Sequence, residues 1–237
     1  TTTRYWMGSS VRKQQIYMYE LGHGPRVALY FATIHGDEAA GTDMLERLRA
    51  LFESQPKLLE GWTVRIIPNL NPDSAGRRRT NYNGVDLNRN FPAQWAPAPH
   101  GDEYPGPKAL SEPESRALKA AVAGEAPGPF GRPDRIIAIH QIRGLESGFG
   151  YLDGDGPAEQ VTPLVDRLVR TSNGAFKAKK IADSQGRSVI PGSFGTWVTS
   201  LGIPTITYEL SISDQGAAAR DSNWERNRPL LLDFLKD

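Results

Sequence analysis

Apolar positions along the chain fall into short blocks, and their spacing switches between a strand-like and a helix-like period. Residues 15–21 and 27–34 are apolar, β-rich runs on either side of Gly22-His23-Gly24-Pro25, which predicts an antiparallel hairpin leading into a buried strand. Residues 39–52 place Met44, Leu45, Leu48 and Leu51 at helical spacing, and 63–70 reads as a second buried strand. Regular patterning then stops from 71 to 110. A gap of that length in a compact domain is either disordered or functional, and its density of Asn, Arg and aromatic residues favours function. Ser111-Glu112-Pro113-Glu114 has the form of a capping box with Pro in the first turn, predicting a helix to about Val122. A Gly/Pro-rich connector, 124–133, leads to a strand at 134–140. A helix over 157–172, a short strand over 176–182, a loop over 186–195 and a buried strand over 203–210 follow. The last helix spans 222–236, with Pro229 starting or kinking its final part. Strands alternating with helices predict one domain over 1–237, a three-layer α/β/α sandwich on a mixed, mostly parallel sheet.

Composition narrows the field. Of the 237 residues 38% are hydrophobic and 23% charged, with a mean hydropathy of −0.48, which suits a soluble domain with one core. The longest uncharged apolar stretch, 27–34, is too short to cross a bilayer. Lys plus Arg (28) nearly cancels Asp plus Glu (27), so no global field draws nucleic acid or anionic lipid. The lack of cysteine excludes disulfides, thiolate metal sites and cysteine nucleophiles. That lack, and a start at Thr1, favour a periplasmic or secreted enzyme over a cytoplasmic one. Oligomeric state is not legible.

The candidate chemistry begins at His35-Gly36-Asp37-Glu38, where a predicted strand gives way to a helix. Ligand sites of open α/β sheets lie at the carboxyl ends of strands, and imidazole and carboxylate both suit Zn²⁺. His140 ends another predicted strand and would share that crevice, whereas His23 and His100 fall in Gly/Pro-rich turns expected to be exposed. Glu209 closes an apolar strand, where a carboxylate is costly to desolvate unless it is used. It is either ion-paired with an arginine or placed as a general base beside a metal. The long loop offers Arg77-Arg78-Arg79 and then Asn88-Arg89-Asn90, chemistry suited to a carboxylate or an oxyanion. Asp86 could accept the free N–H of a ligating histidine.

Taken in order, His35-x-x-Glu38, Asn71-Pro72-Asp73, Arg79, the run Asn83-Gly84-Val85-Asp86-Leu87-Asn88-Arg89-Asn90-Phe91-Pro92, His140 and Tyr208-Glu209-Leu210 resemble the zinc metallocarboxypeptidases of the carboxypeptidase A type. The resemblance covers nearly the whole chain. Ser111-Glu112-Pro113-Glu114-Ser115 and Pro191-Gly192-Ser193-Phe194-Gly195-Thr196-Trp197 are similar to the short bacterial murein peptide amidases, which cleave the γ-D-glutamyl–diaminopimelate bond of cell-wall peptides. The resemblance implies one Zn²⁺ per chain on His35, Glu38 and His140, with Glu209 as general base and acid. It further implies Arg79 on the scissile carbonyl and its oxyanion, Asn88 and Arg89 on the substrate's terminal carboxylate, Asp86 behind His35, and Tyr208 among the substrate-binding residues. The family's mobile capping Tyr has no counterpart in residues 186–190, where Arg187 is a candidate ionic replacement; Arg143 is a second. No side chain between Gly192 and Trp197 is charged, which argues against an ion-pairing pocket for the substrate side chain. The expected function is hydrolysis of an amide next to a free carboxylate in a peptidoglycan peptide, as amidase or carboxypeptidase. The alternatives are an N-acyl amino acid deacylase of the aspartoacylase type and a non-catalytic wall-peptide binder.

Overall fold

Apolar side chains on both faces of the central strands build a sheet with two buried faces. The computed structural model describes residues 2–125, 131–180, 189–214 and 217–236, without the side chains of 217 and 218. Among these residues eight strands form one sheet: β1 (Thr3–Ser9), β2 (Gln15–Gly22), β3 (Arg26–Ala32), β4 (Trp62–Ile67), β5 (Arg135–Ile142), β6 (Gly150–Asp155), β7 (Phe176–Ala178) and β8 (Thr205–Ser211). Their spatial order is β1-β2-β4-β3-β5-β8-β6-β7. The central pairs β4–β3, β3–β5 and β5–β8 are parallel, as is β6–β7, while β1–β2, β2–β4 and β6–β8 are antiparallel.

On β3, Ala28, Tyr30 and Ala32 enter one cluster and Leu29 and Phe31 the other, as a period of two requires. The first cluster is covered by α1 (Ala40–Ser54), α3 (Ala158–Thr171) and α5 (Ala217–Asp233), through Leu45, Leu48, Phe52, Val161, Leu168, Leu230 and Leu231. The second is covered by α2 (Pro113–Ala123) and α4 (Phe194–Ser200), through Leu118, Val122, Phe194, Trp197 and Val198. Each fully buried Leu or Phe contributes about 1.5–3 kcal/mol, so the helices are held by these faces. The result is the expected three-layer architecture. After β3 the chain turns to β4 on one side and later to β5 on the other, so the switch point of the sheet lies between β3 and β5.

Several expectations are corrected. Residues 15–21 and 27–34 do not form a hairpin: β4 lies between β2 and β3, and β2 forms its tight hairpin with β1 instead. The capping box does not close, because the residue before α2 is Glu112, which makes no side-chain cap; Ser111 Oγ donates to the Glu112 carboxylate at 2.7 Å. Gly124, at φ +74°, ends that helix in the left-handed region. Strand β6 and helix α4 were not expected. Residues 126–130 of the 124–133 connector and all of 181–188, which include the end of the expected 176–182 strand and the start of the expected 186–195 loop, lie outside the described residues.

Candidate active site

The site is built first by backbone. Beyond β3 the chain turns through Thr33, at φ +60°, and Gly36, whose N–H donates to the Arg79 carbonyl at 3.1 Å and whose own carbonyl accepts from the Gly76 N–H at 2.7 Å. A Cβ on Gly36 would lie 2.5 Å from both the Ser74 and the Arg78 carbonyl oxygens, so no other residue fits between these strands of loop. The turn thus delivers His35 and Glu38 just before α1, whose first amide, Ala40 N–H, donates to Gln141 Oε1 at 2.9 Å. His140 comes from β5 and sits directly across from Glu209 on β8.

His35 Nδ1 is 2.8 Å from Glu38 Oε1, His140 Nδ1 is 2.9 Å from Glu38 Oε2, and the three donor atoms lie within 4.8 Å of one another. All three residues are buried. Behind them, Asp86 Oδ1 lies 3.1 Å from His35 Nε2, a partner that would hold the ring proton on Nε2 and leave Nδ1 to a bound cation. Burial opposes charge on every one of these groups, yet the neighbours win. His35 is pushed up to about 9 by Glu38 and Asp86, and both carboxyls are held well below the usual range by His35, with Arg79 adding to the effect on Asp86. Two ionised carboxylates around imidazoles in a buried pocket is a place that calls for a cation. A zinc ion takes three such ligands in hydrolytic sites, and the donor set here fits it.

Around this centre lies a cleft of about 220 Å³. Glu209 lines it; burial raises its carboxyl to about 7 against the pull of His140, and its Oε2 has no hydrogen-bond partner among the described residues. Arg79 donates from Nε (3.0 Å) and Nη2 (2.9 Å) to Asp86 Oδ2, which leaves Nη1, 3.8 Å from Glu38 Oε1, as its free corner. The short 3₁₀ turn Leu87–Arg89 is capped by Asp86, whose carboxylate accepts from the Asn88 N–H at 2.8 Å. Asn88 Oδ1 accepts from the Phe194 N–H at 2.8 Å, so its amide nitrogen remains to donate. Arg89 also lines the cleft, with Nη1 on the Asn88 carbonyl at 2.9 Å and Nη2 on Glu103 Oε1 at 2.7 Å.

The structure therefore brings together His35, Glu38, His140, Glu209, Arg79, Asn88, Arg89 and Asp86. Tyr208 is a correction. It is fully buried in the opposite layer, its hydroxyl donating to Asn227 Oδ1 at 2.6 Å, because neighbours on a strand face opposite sides and Glu209 takes the cleft side. Arg143 is 82% exposed, 3.8 Å from Asp37, and is not among the cleft-lining residues. Arg187 lies outside the described residues. The 192–197 stretch brings no charge to the cleft, but another element does: Asp153 and Asp155 of β6 line it, together with Ser193, Thr196 and Thr207. Asp155 Oδ2 accepts from Thr207 Oγ1 at 3.2 Å, and burial together with Asp153 raises its carboxyl to about 6. Gly195 leaves room for it, since a Cβ there would lie 2.5 Å from Asp155 Oδ2.

Three convergent ligands at the switch point of an α/β sheet, open to a cleft lined by a further carboxylate, have the arrangement of a mononuclear metal centre. Comparison makes the assignment particular. The family model described as zinc carboxypeptidase matches residues 1–141, and the chain belongs to that family. Carboxypeptidase SOL1 of Arabidopsis thaliana is 32% identical over 128 residues, 48% of this chain and 25% of that protein. Carboxypeptidase D of Anas platyrhynchos is 31% identical over an alignment of 274 positions, covering 99% of this chain and 19% of the relative. The chain thus spans well under half the length of these relatives. Among solved structures, carboxypeptidase A from Helicoverpa armigera superposes with a TM-score of 0.75 at 18% identity, covering 98% of this chain and 68% of the other. The murein-tripeptide amidase of Escherichia coli O157 gives 0.68 at 22% identity, covering 97% and 91%. At these identities the likeness is one of fold.

Proposed function

We propose that the protein is a zinc-dependent hydrolase that cleaves the amide bond in front of a residue bearing a free carboxylate, and that its substrate is a peptidoglycan peptide ending in diaminopimelate. The observation that carries the reading is the convergence of a candidate metal triad, a carboxylate whose Oε2 has no partner among the described residues, and two donors suited to a carboxylate in one 220 Å³ cleft. When bound, zinc supplies Lewis acidity, which polarises a carbonyl and acidifies water. The rest falls to the chain. Glu209 takes the proton of the attacking water and returns it to the leaving amine, and its elevated pKa suits both transfers. The free corner of Arg79 donates to the oxyanion as charge develops there. Arg89 and the Asn88 amide hold the terminal carboxylate, which fixes the distance from that carboxylate to the bond that breaks.

Asp153 and Asp155 supply the selection between side chains. Two carboxylates in a partly buried wall favour a residue whose side chain carries an ammonium group, as lysine does at its tip and diaminopimelate does beside its second carboxylate. The structural likeness to a murein-tripeptide amidase, which the chain spans almost end to end, supports the cell-wall peptide among these. The test is mass spectrometry of L-Ala-γ-D-Glu-diaminopimelate and longer wall peptides before and after incubation with the zinc-loaded protein. Release of diaminopimelate from the tripeptide is expected; release of terminal D-Ala alone would make the protein a wall carboxypeptidase, and no product would contradict the hydrolase reading.

A further inference from the structure

The anchor for the substrate carboxylate already holds a carboxylate. Glu103 Oε1 sits 2.7 Å from Arg89 Nη2, inside the same cleft as His35 and Glu209. Its position is imposed by its neighbours. The Asp86 N–H donates to the Tyr104 carbonyl at 2.8 Å, and Asn90 Nδ2 and Trp95 Nε1 donate to the Pro105 carbonyl at 2.7 and 3.2 Å. His100 stacks on Tyr104 with ring centres 3.9 Å apart. Residue 103 is therefore delivered to Arg89 by a loop pinned to the same 86–90 segment that carries the anchor.

The two partners are unequal. The Arg89 side chain is 11% exposed and is held independently by the Asn88 carbonyl, with Asp86 Oδ2 3.9 Å away; the Glu103 side chain is 46% exposed. Arg89 keeps its place without Glu103, and Glu103 can swing into water without disturbing a core. We propose that Glu103 is a resident stand-in for the substrate carboxylate, which incoming substrate displaces from Arg89 and which re-forms the pair as product leaves. This rests on Arg89 being the carboxylate anchor. A half-exposed ion pair of this kind is weak because solvent screens it, so exchange is cheap for a ligand that brings its own charge. A neutral ligand end has nothing to exchange, which makes the pair a filter for the anion and limits how long the carboxylate-bearing product stays.

The opposite role, Glu103 as a prop for Arg89, predicts the opposite sign, so one substitution decides. N-acetyl-lysine and N-acetyl-lysinamide serve as probes for calorimetric binding to the zinc-loaded wild type and to Glu103→Gln, whose surface position leaves folding intact. The acid is expected to bind the variant about 2–5-fold more tightly than the wild type, and product inhibition by free diaminopimelate should tighten by the same factor. Unchanged or weaker binding of the acid to the variant would overturn the proposal. Equal binding of acid and amide by the wild type would overturn it too, by removing the anchor on which it stands. Failure to cleave the tripeptide, by contrast, bears on the reaction and leaves these binding results to be read independently.

Discussion

Asp86 is the residue on which most of the site leans, and its replacement by Asn isolates that role at nearly constant volume. Its carboxylate is fully buried and meets donors on both sides. Oδ1 faces His35 Nε2 at 3.1 Å and the Asn88 N–H at 2.8 Å, and Oδ2 accepts two hydrogen bonds from Arg79. An Asn side chain has one acceptor end. If that end stays toward His35 and Asn88, its NH₂ opposes a guanidinium that has only donors; if it turns, His35 loses its partner and its tautomer. Loss of a partner behind a metal-bound histidine weakens metal binding about 10–100-fold, equivalent to about 1.4–2.7 kcal/mol. The freed Arg79 should remove a further ~10²-fold or more from turnover at saturating zinc. Competition against a chromophoric chelator measures the first effect, and single-turnover kinetics at saturating zinc the second. Circular dichroism confirms that the fold persists. Zinc affinity within twofold of the wild type would refute the reasoning that Asp86 orients His35.

Asp155→Asn should cost about 10–100-fold in kcat/KM for peptides with ammonium-ended side chains, the magnitude of a charge-assisted hydrogen bond, and little for an alanine-ended analogue; paired kinetics on the two peptides check it. Because the Asp155 carboxyl is raised to about 6, it is neutral below that pH and charged above it, so KM for the ammonium-ended peptide should fall as pH rises from 5 to 7 while the alanine analogue shows no such step. Arg89→Ala should raise KM for a free-carboxylate peptide by about tenfold or more and leave its C-terminal amide unaffected, which a matched pair of peptides measures. Gly36→Ala forces a methyl group to within 2.5 Å of two carbonyl oxygens, so the protein should lose its zinc site, read by metal analysis of whatever folded material is recovered.

The metal ligands, Glu209 and the arginine loop were legible because each sits in a short, chemically dense string at a strand end or in the one long unpatterned stretch. What was missed follows from weak local signals. Strand β6 reads Gly150-Tyr151-Leu152-Asp153-Gly154-Asp155, whose Gly and Asp content marks a turn; pairing with β8 on one side and β7 on the other makes it a strand. The alternation of Leu152 with Asp153 and Asp155 was the available clue to the acidic wall. Helix α4 is seven residues long, contains Gly195 and depends on the Ser193 cap, whose Oγ accepts from the Thr196 N–H at 3.1 Å. Tyr208 enters the substrate-binding set only through the resemblance of Tyr208-Glu209-Leu210, whereas strand geometry places adjacent side chains on opposite faces and Tyr208 in the core. The false hairpin has a topological cause. The Gly-Pro turn joins β2 to β3, but β4 takes the position between them, a long-range pairing that no local pattern encodes.

The central claim is that Glu209, whose Oε2 has no hydrogen-bond partner among the described residues, moves the proton of the attacking water beside the His35–Glu38–His140 triad. The most direct test is the single-turnover rate of zinc-loaded Glu209→Gln on the wall tripeptide, with zinc content measured on the same sample. Full zinc occupancy with a rate lower by about 10²–10⁴-fold is the predicted result; full occupancy with a near wild-type rate would contradict it.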